Sequence, residues 1–184
     1  MIAFIGLGNV GVRYKDTKHN AGFWVIDEFA RRKKLSFSTA EKEYVFTKHK
    51  TKQVLFAKPT TGMNRSGLAA KAILRKWNLL TSDIYVVIDD VDLPFGALRI
   101  RPKGGDGCHR GLENIIYHLG SSSFPRIRLG IAASDYKRPS EKYVMKPFKS
   151  HMSYDAKLMI DRAADAIQNI ITRGLEKTMN QFNA

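Results

Sequence analysis

Two short, uninterrupted apolar runs, residues 2–6 (IAFIG) and 84–89 (IYVVID), constrain this chain more than any other feature. Runs of that length without alternation are expected of strands covered on both faces, which occur in sheets sandwiched between helices. Helix-period segments at 20–34, 66–77, 110–118 and 153–172 supply the covering layers. The last is expected to take Ser153 as its N-cap and to stop at Gly174. It should turn Leu158, Ala163, Ile167, Ile170 and Ile171 to one side. Residues 44–48 and 53–57 read as a hairpin whose turn carries the solvated Lys50 and Lys52. ALRIR and RIRLGIA alternate, so each has a polar face bearing arginines, Arg99 with Arg101 and Arg126 with Arg128. The expectation is α/β: a single three-layer domain over residues 1–184, with a mixed, mostly parallel twisted sheet flanked by helices.

Polar loops hang on the expected strand ends, where site residues usually sit. The first, GLGNVGVRYKDTKHNAG from Gly6 to Gly22, contains a glycine spacing that matches a dinucleotide-binding fingerprint at Gly6, Gly8 and Gly11. That fingerprint needs a helix opening at the third glycine and an acidic residue about 20 positions on, at a strand end. Here the charged VRYKDTKHN follows Gly11, and Asp27 and Glu28 lie inside a helix-like run, so the context fails. The second and third loops are KPTTGMNRSG and IDDVDLP. Together the three offer a histidine, several carboxylates and two Asn side chains, enough to activate water beside a substrate carbonyl.

Composition narrows the class. The 43% apolar and 26% charged fractions are those of a globular protein, and no apolar run approaches the length of a membrane span. MIAFIGLGN lacks the basic start and cleavage pattern of a signal peptide. One cysteine, Cys108, excludes an internal disulfide and a multi-cysteine zinc site, and a cytoplasmic protein is expected. The net charge of +14 favours a nucleic-acid partner, and the middle third is least basic, with six acids against eight Lys and Arg.

Taken together, GLGNVGVRYKDTKHNAG, KPTTGMNRSG, DDVDLPFGALRIRPKGGDGCHRG and FPRIRLGI resemble the bacterial peptidyl-tRNA hydrolases, and the resemblance runs to the terminal MNQFN. It implies hydrolysis of the ester joining a peptide to the terminal ribose of tRNA, freeing tRNA from peptidyl-tRNA shed by stalled ribosomes. It further implies a monomer with no metal, no cofactor and no obligate protein partner. By the resemblance His19 is the general base and Asp89 its carboxylate partner. Asn64 holds the substrate near the ester, and Asn9 helps separate peptidyl from free aminoacyl groups. Gly62, Met63, His109 and Arg110 belong to the substrate cleft, and Tyr14 stands near the terminal adenosine. Arg99 and Arg128 match the family's clamp on the tRNA 5′-phosphate.

The residues also allow other readings. His19 could cap the following helix, and Asn64 or Ser66 could cap the next. Asp89, Asp90 and Asp92 could hold Mg²⁺ as in a nuclease, and Cys108-His109 invites a thiol-dyad reading. Val10, Lys18, Gly62, Cys108 and Arg110 depart from the family pattern, as does the segment AASDYKRPSEKYVMKPF in the place of the family's lid. These departures leave open a catalytically weak RNA-binding paralogue of the same fold.

Overall fold

The apolar run at the start of the chain forms β1 (Ile2–Gly6), and its counterpart forms β5 (Ile84–Pro94) beside it in parallel register, Ala3 against Ile84 and Gly6 against Val87. A computed structural model describes residues 1–37, 39–49 and 53–183; Lys50 and Lys52 lie outside the described residues. β2 (Thr39–Ala40), β3 (Tyr44–His49), β4 (Val54–Pro59), β6 (Leu98–Arg101) and β7 (Arg126–Ala132) complete one sheet in the order β2-β3-β4-β1-β5-β7-β6. The four central strands run parallel, while β3 pairs antiparallel with β4 and β6 with β7. The sheet is therefore mixed and mostly parallel, with its hairpin where expected. β5 outruns its expected length because its pairing with β7 resumes beyond an irregularity between Asp90 and Pro94.

Helices cover both faces. Against one face, α1 (Ala21–Arg32), α5 (Ser153–Arg173) and α6 (Leu175–Phe182) enclose a core built on Phe4, Phe56, Val87, Ile127 and Leu129. Phe29 of α1 stacks on Phe56 with ring centroids 4.7 Å apart. Against the other face, α2 (Ser66–Trp77) and α3 (Arg110–Leu119) close over Ile5, Leu55, Ala57, Val86 and Ile88. A short α4 (Glu141–Val144) lies in the segment after β7.

This second core draws its strand residues from β1, β3, β4 and β5. On β7 the same face presents Arg126 and Arg128. That explains the alternation of RIRLGIA but changes the reading of one of its arginines. Arg126 is 2% exposed and spends its guanidinium on the carbonyls of Ser122, Phe124, Gly104 and Gly105. It is a buried brace for the 104–105 and 122–124 loops, not a surface cation.

Two expectations at the C-terminal end need correction, and one helix there is unforeseen. Ser153 does not cap α5: a 3₁₀ turn at Ser150–Met152 runs straight into the helix, and Ser153 Oγ donates back to Ser150 O at 2.7 Å. Leu158 is 47% exposed rather than buried with Ala163 and Ile167. Gly174, at φ 85°, ends α5 as expected, yet it also starts α6, which has no counterpart in the sequence reading.

Candidate active site

Loops leaving the carboxyl ends of β1 and β4 converge on the middle of β5, Ile88–Val91, near the strand ends where ligands sit in open α/β sheets. They meet the start of α3 and the segment around α4 at a cleft of about 780 Å³. Asn9, Tyr14, His19, Gly62, Met63, Asn64, Asp89, His109 and Arg110 all line it, together with Ser140, Glu141, Val144 and Met145 from the α4 side. The dinucleotide fingerprint fails in space as well. Gly11 opens only a 3₁₀ turn, Val12–Tyr14, and α1 begins ten residues later at Ala21.

The loop after β1 is fixed at both ends. α1 starts hard against the sheet: a Cβ on Gly22 would lie 2.3 Å from Val87 O and 2.5 Å from Leu7 N, so only glycine fits there. Near the other end Asn20 grips the Asn9 backbone twice, Oδ1 accepting from Asn9 N–H at 2.8 Å and Nδ2 donating to Asn9 O at 3.0 Å. Asn20 stands at the N-terminus of α1 but turns its side chain to this task rather than to capping. Asn9 Oδ1 in turn accepts from Met63 N–H at 2.8 Å, which fixes the amide and leaves Nδ2 as a donor. Ser66 Oγ donates back to Met63 O, so neither it nor Asn64, which is exposed on the cleft wall, caps α2. Above Gly62 (φ 82°) only Asn9 Oδ1 approaches the place of a Cβ, at 3.8 Å, so that wall stands open.

At the cleft base His19 Nδ1 lies 3.0 Å from each oxygen of Asp89. His19, 11% exposed at its side chain, is therefore no helix cap. Asp89 also meets His109, whose Nε2 is 3.1 Å from Oδ1. The other ring nitrogen of His109, Nδ1, accepts the Leu112 N–H at 3.2 Å and caps α3. That assigns His109 the tautomer with its proton on Nε2, donating to Asp89. The same carboxylate draws the His19 proton to Nδ1 and leaves the Nε2 lone pair free. Burial would push the Asp89 carboxyl up, but the two imidazoles outweigh it and hold the group well below the usual carboxylate range.

These contacts dispose of two alternatives. Both nitrogens of His109 are engaged, so neither can activate Cys108, whose backbone (φ 61°) is instead tied to Asp106 through its N–H at 2.7 Å. The three aspartates do not share a cation site: Asp90 pairs with Arg128 and Asp92 with Arg138, leaving Asp89 to the histidines. His19, Asp89 and His109 together have the ligand types of a metal site. For His109 to ligate through Nε2, however, its proton would have to move to Nδ1 and displace the Leu112 cap.

The sequence matches the peptidyl-tRNA hydrolase family over residues 3–184. The chain belongs to that family. Among peptidyl-tRNA hydrolases it is 38% identical to one from Geobacillus thermodenitrificans, with all of both chains covered, and 39% identical to one from Pseudothermotoga lettingae, covering 100% of this chain and 97% of that one. The crystal structure of the peptidyl-tRNA hydrolase from Acinetobacter baumannii superposes with a TM-score of 0.91 at 28% identity, covering 100% of this chain and 95% of that one. The fold expected for a peptidyl-tRNA hydrolase is thus the fold observed.

Nine of the eleven residues assigned to the site line the cleft. Arg99 and Arg128 lie outside it, opposite one another on β6 and β7. Arg128 sits just behind the wall, since a Cβ on Gly107 would come within 3.9 Å of its guanidinium. The Arg13 guanidinium already covers one face of Tyr14, 4.5 Å from the ring centroid. Sequence reasoning missed Asn20, and it missed the bond from His109 to Asp89. Neither leaves a local signal, because both depend on partners many residues away.

Proposed function

We propose that this chain, whose relatives are named peptidyl-tRNA hydrolases, hydrolyses the ester between a peptide and the 3′-terminal ribose of tRNA. The observation that carries the reading is the His19–Asp89 pair: Nδ1 is held by both carboxylate oxygens, and Nε2 is left as a base in a cleft that also holds Asn9 and Asn64. Water bound there gives a proton to Nε2 as its oxygen bonds to the ester carbonyl carbon. Asp89 stabilises the imidazolium that forms. Amide donors, Asn9 Nδ2 and Asn64, face the developing oxyanion. Collapse breaks the carbon–oxygen bond to the ribose, His19 returns the proton to the departing oxygen, and a peptide acid and tRNA leave. No serine or cysteine nucleophile enters this sequence of steps.

His109 acts on this reading through Asp89, as its second donor, while Arg110 and Met63 flank the substrate and Tyr14 offers its free face to the terminal adenosine. Arg99 and Arg128 receive the 5′-phosphate, a role supported by their opposition in register and by the basic balance of the chain. The whole chain works as one unit, a monomer in the cytoplasm, without metal. No helix among the described residues is long and apolar enough to cross a membrane. The test is turnover of an N-blocked aminoacyl-tRNA in excess EDTA, followed by release of free tRNA. Full activity is expected. Loss on chelation would overturn the metal-free scheme, and tRNA binding without turnover would favour the RNA-binding alternative.

A further inference from the structure

Three consecutive residues make up the 3₁₀ turn Lys18–Asn20, and each reaches a different part of the site. Asn20 holds the Asn9 loop and His19 holds Asp89. Lys18 holds the wall across the cleft. Its side chain is buried, 5% exposed, and its ammonium donates to the carbonyls of Pro147 at 2.8 Å, Lys146 at 3.3 Å and Tyr143 at 3.5 Å. Its own backbone N–H donates to Lys146 O at 3.1 Å. The ammonium also sits over the Tyr143 ring, 4.2 Å from the centroid, and 5.3 Å from that of Phe148. An ammonium has three donors and here has three carbonyl acceptors, so its polar demand is met inside the protein.

The segment so held is the one that supplies Ser140, Glu141, Val144 and Met145 to the cleft. The segment is also anchored by Val144, buried in the core, and by Tyr143, whose hydroxyl donates to Ile131 O at 2.6 Å and accepts from Ala133 N–H at 3.0 Å. A charge placed among carbonyls and aromatic faces is an expensive way to fill a gap, because burial opposes it and so do the nearby Lys146 and Lys149. A methionine would fill the same space without that cost. A buried cation directly beside the base therefore calls for a positional reason.

We propose that Lys18 is a positioning residue of the hydrolase: it docks the 140–147 segment onto the turn that carries His19, and so fixes the distance between the His19 Nε2 and the substrate lying against that wall. The inference rests on His19 being the base of the ester hydrolysis. Loss of turnover in His19→Ala tests that premise separately, so failure of one is distinguishable from failure of the other.

The experiment compares Lys18→Met and Lys18→Arg with the unmodified protein by hydrogen exchange across residues 140–147 and by kcat and KM on an N-blocked aminoacyl-tRNA. Lys18→Met removes all three ammonium hydrogen bonds and should speed exchange in that segment by at least about tenfold, the scale of losing even one charge-assisted hydrogen bond. Its kcat should fall by about ten- to a hundredfold, the effect of a small misplacement at the reacting atoms. Its thermal midpoint should fall only modestly, since the lost hydrogen bonds are partly offset by the kept apolar stem and the removal of a buried charge. Lys18→Arg, which restores charge and donors, should recover most of both losses. Two results would overturn the proposal: exchange that rises with kcat unchanged, or kcat that falls with the segment still protected. If Lys18→Met does not fold, Tyr143→Phe loosens the same segment from another tether, and the same coupled loss is expected; its absence counts equally against the proposal.

Discussion

Asn20 is bonded to the Asn9 backbone through both ends of its amide, at 2.8 and 3.0 Å, and this closed ring aims the Asn9 side chain at Met63 N–H. Removing the ring should disturb the site before it disturbs the fold. Asn20→Ala leaves a near-buried N–H and C=O without their partner, which costs about 1–3 kcal/mol. Turnover should fall more than a stability loss of that size explains, because Asn9 is no longer oriented. Thermal unfolding and kcat on the same preparation check this, and a fall in stability alone would show Asn20 to be purely structural.

The His19–Asp89–His109 chain makes a graded prediction. His19→Ala removes the base and should lower kcat by about 10²–10⁴-fold with tRNA affinity nearly unchanged. Asp89→Asn should be milder but severe, since its amide NH₂ would face one imidazole N–H and force a tautomer change. His109→Ala should cost about 1 kcal/mol through the lost α3 cap and reduce activity least of the three. Single-turnover kinetics with all three variants would order them, and near-normal rates for His19→Ala would remove it as the base.

The beta-strand arginines should separate by role. Arg126→Ala strips several carbonyls of their shared donor and should destabilise by about 3 kcal/mol or more, read as a drop in the thermal midpoint. Arg99→Ala and Arg128→Ala should instead raise KM with kcat mostly intact. Each should flatten the salt dependence of tRNA binding by about 0.7–0.9 in the slope of log K against log salt. Dephosphorylated tRNA should bind variant and parent alike. Equal losses on both substrates would reduce the pair to a general basic field.

Acid should weaken the fold in a defined window. Glu28 on α1 is lowered from 4.5 to about 2, first by its hydrogen bond from Arg31, then by Arg32, which also joins Asp161 and Asp165 of α5. Asp89 is depressed as well. A depressed carboxylate binds protons less readily when folded, so its contribution is present above the unfolded pKa and is lost as pH falls toward the folded one. Thermal midpoints should therefore drop between about pH 4.5 and about pH 2, and Glu28→Gln should shallow that slope. An unchanged slope would mean that the pairs of Glu28 with Arg31 and Arg32 contribute nothing measurable.

Local pattern carried much of this molecule and long-range pairing carried the rest. Residues 66–77 show their helix by apolar spacing alone, and the observed helix has those bounds. RIRLGIA showed its strand but not that the 104–105 and 122–124 loops close over its arginine face, so Arg126 read as part of a polar face when it is buried. Gly174 signalled an end, and the restart behind it had no separate mark. The polar loops on strand ends marked a histidine, carboxylates and Asn side chains as candidates, and it was the family resemblance that singled out Asn9, His19, Asn64 and Asp89. His109 reading the same carboxylate as His19 was invisible, since 90 residues of chain separate the two imidazoles.

The sheet order has a consequence for the making of the protein. His19 follows β1, while Asp89 lies on β5, which becomes the neighbour of β1 only after β4 has been laid on the other side and the chain has crossed back. A chain still on the ribosome is itself a peptide esterified to tRNA. Until β5 is in place its histidine has no carboxylate to set the tautomer, so the unfinished molecule lacks a working base for the linkage that holds it. The crossover thus delays the pairing of this base with its carboxylate until β5 has been made.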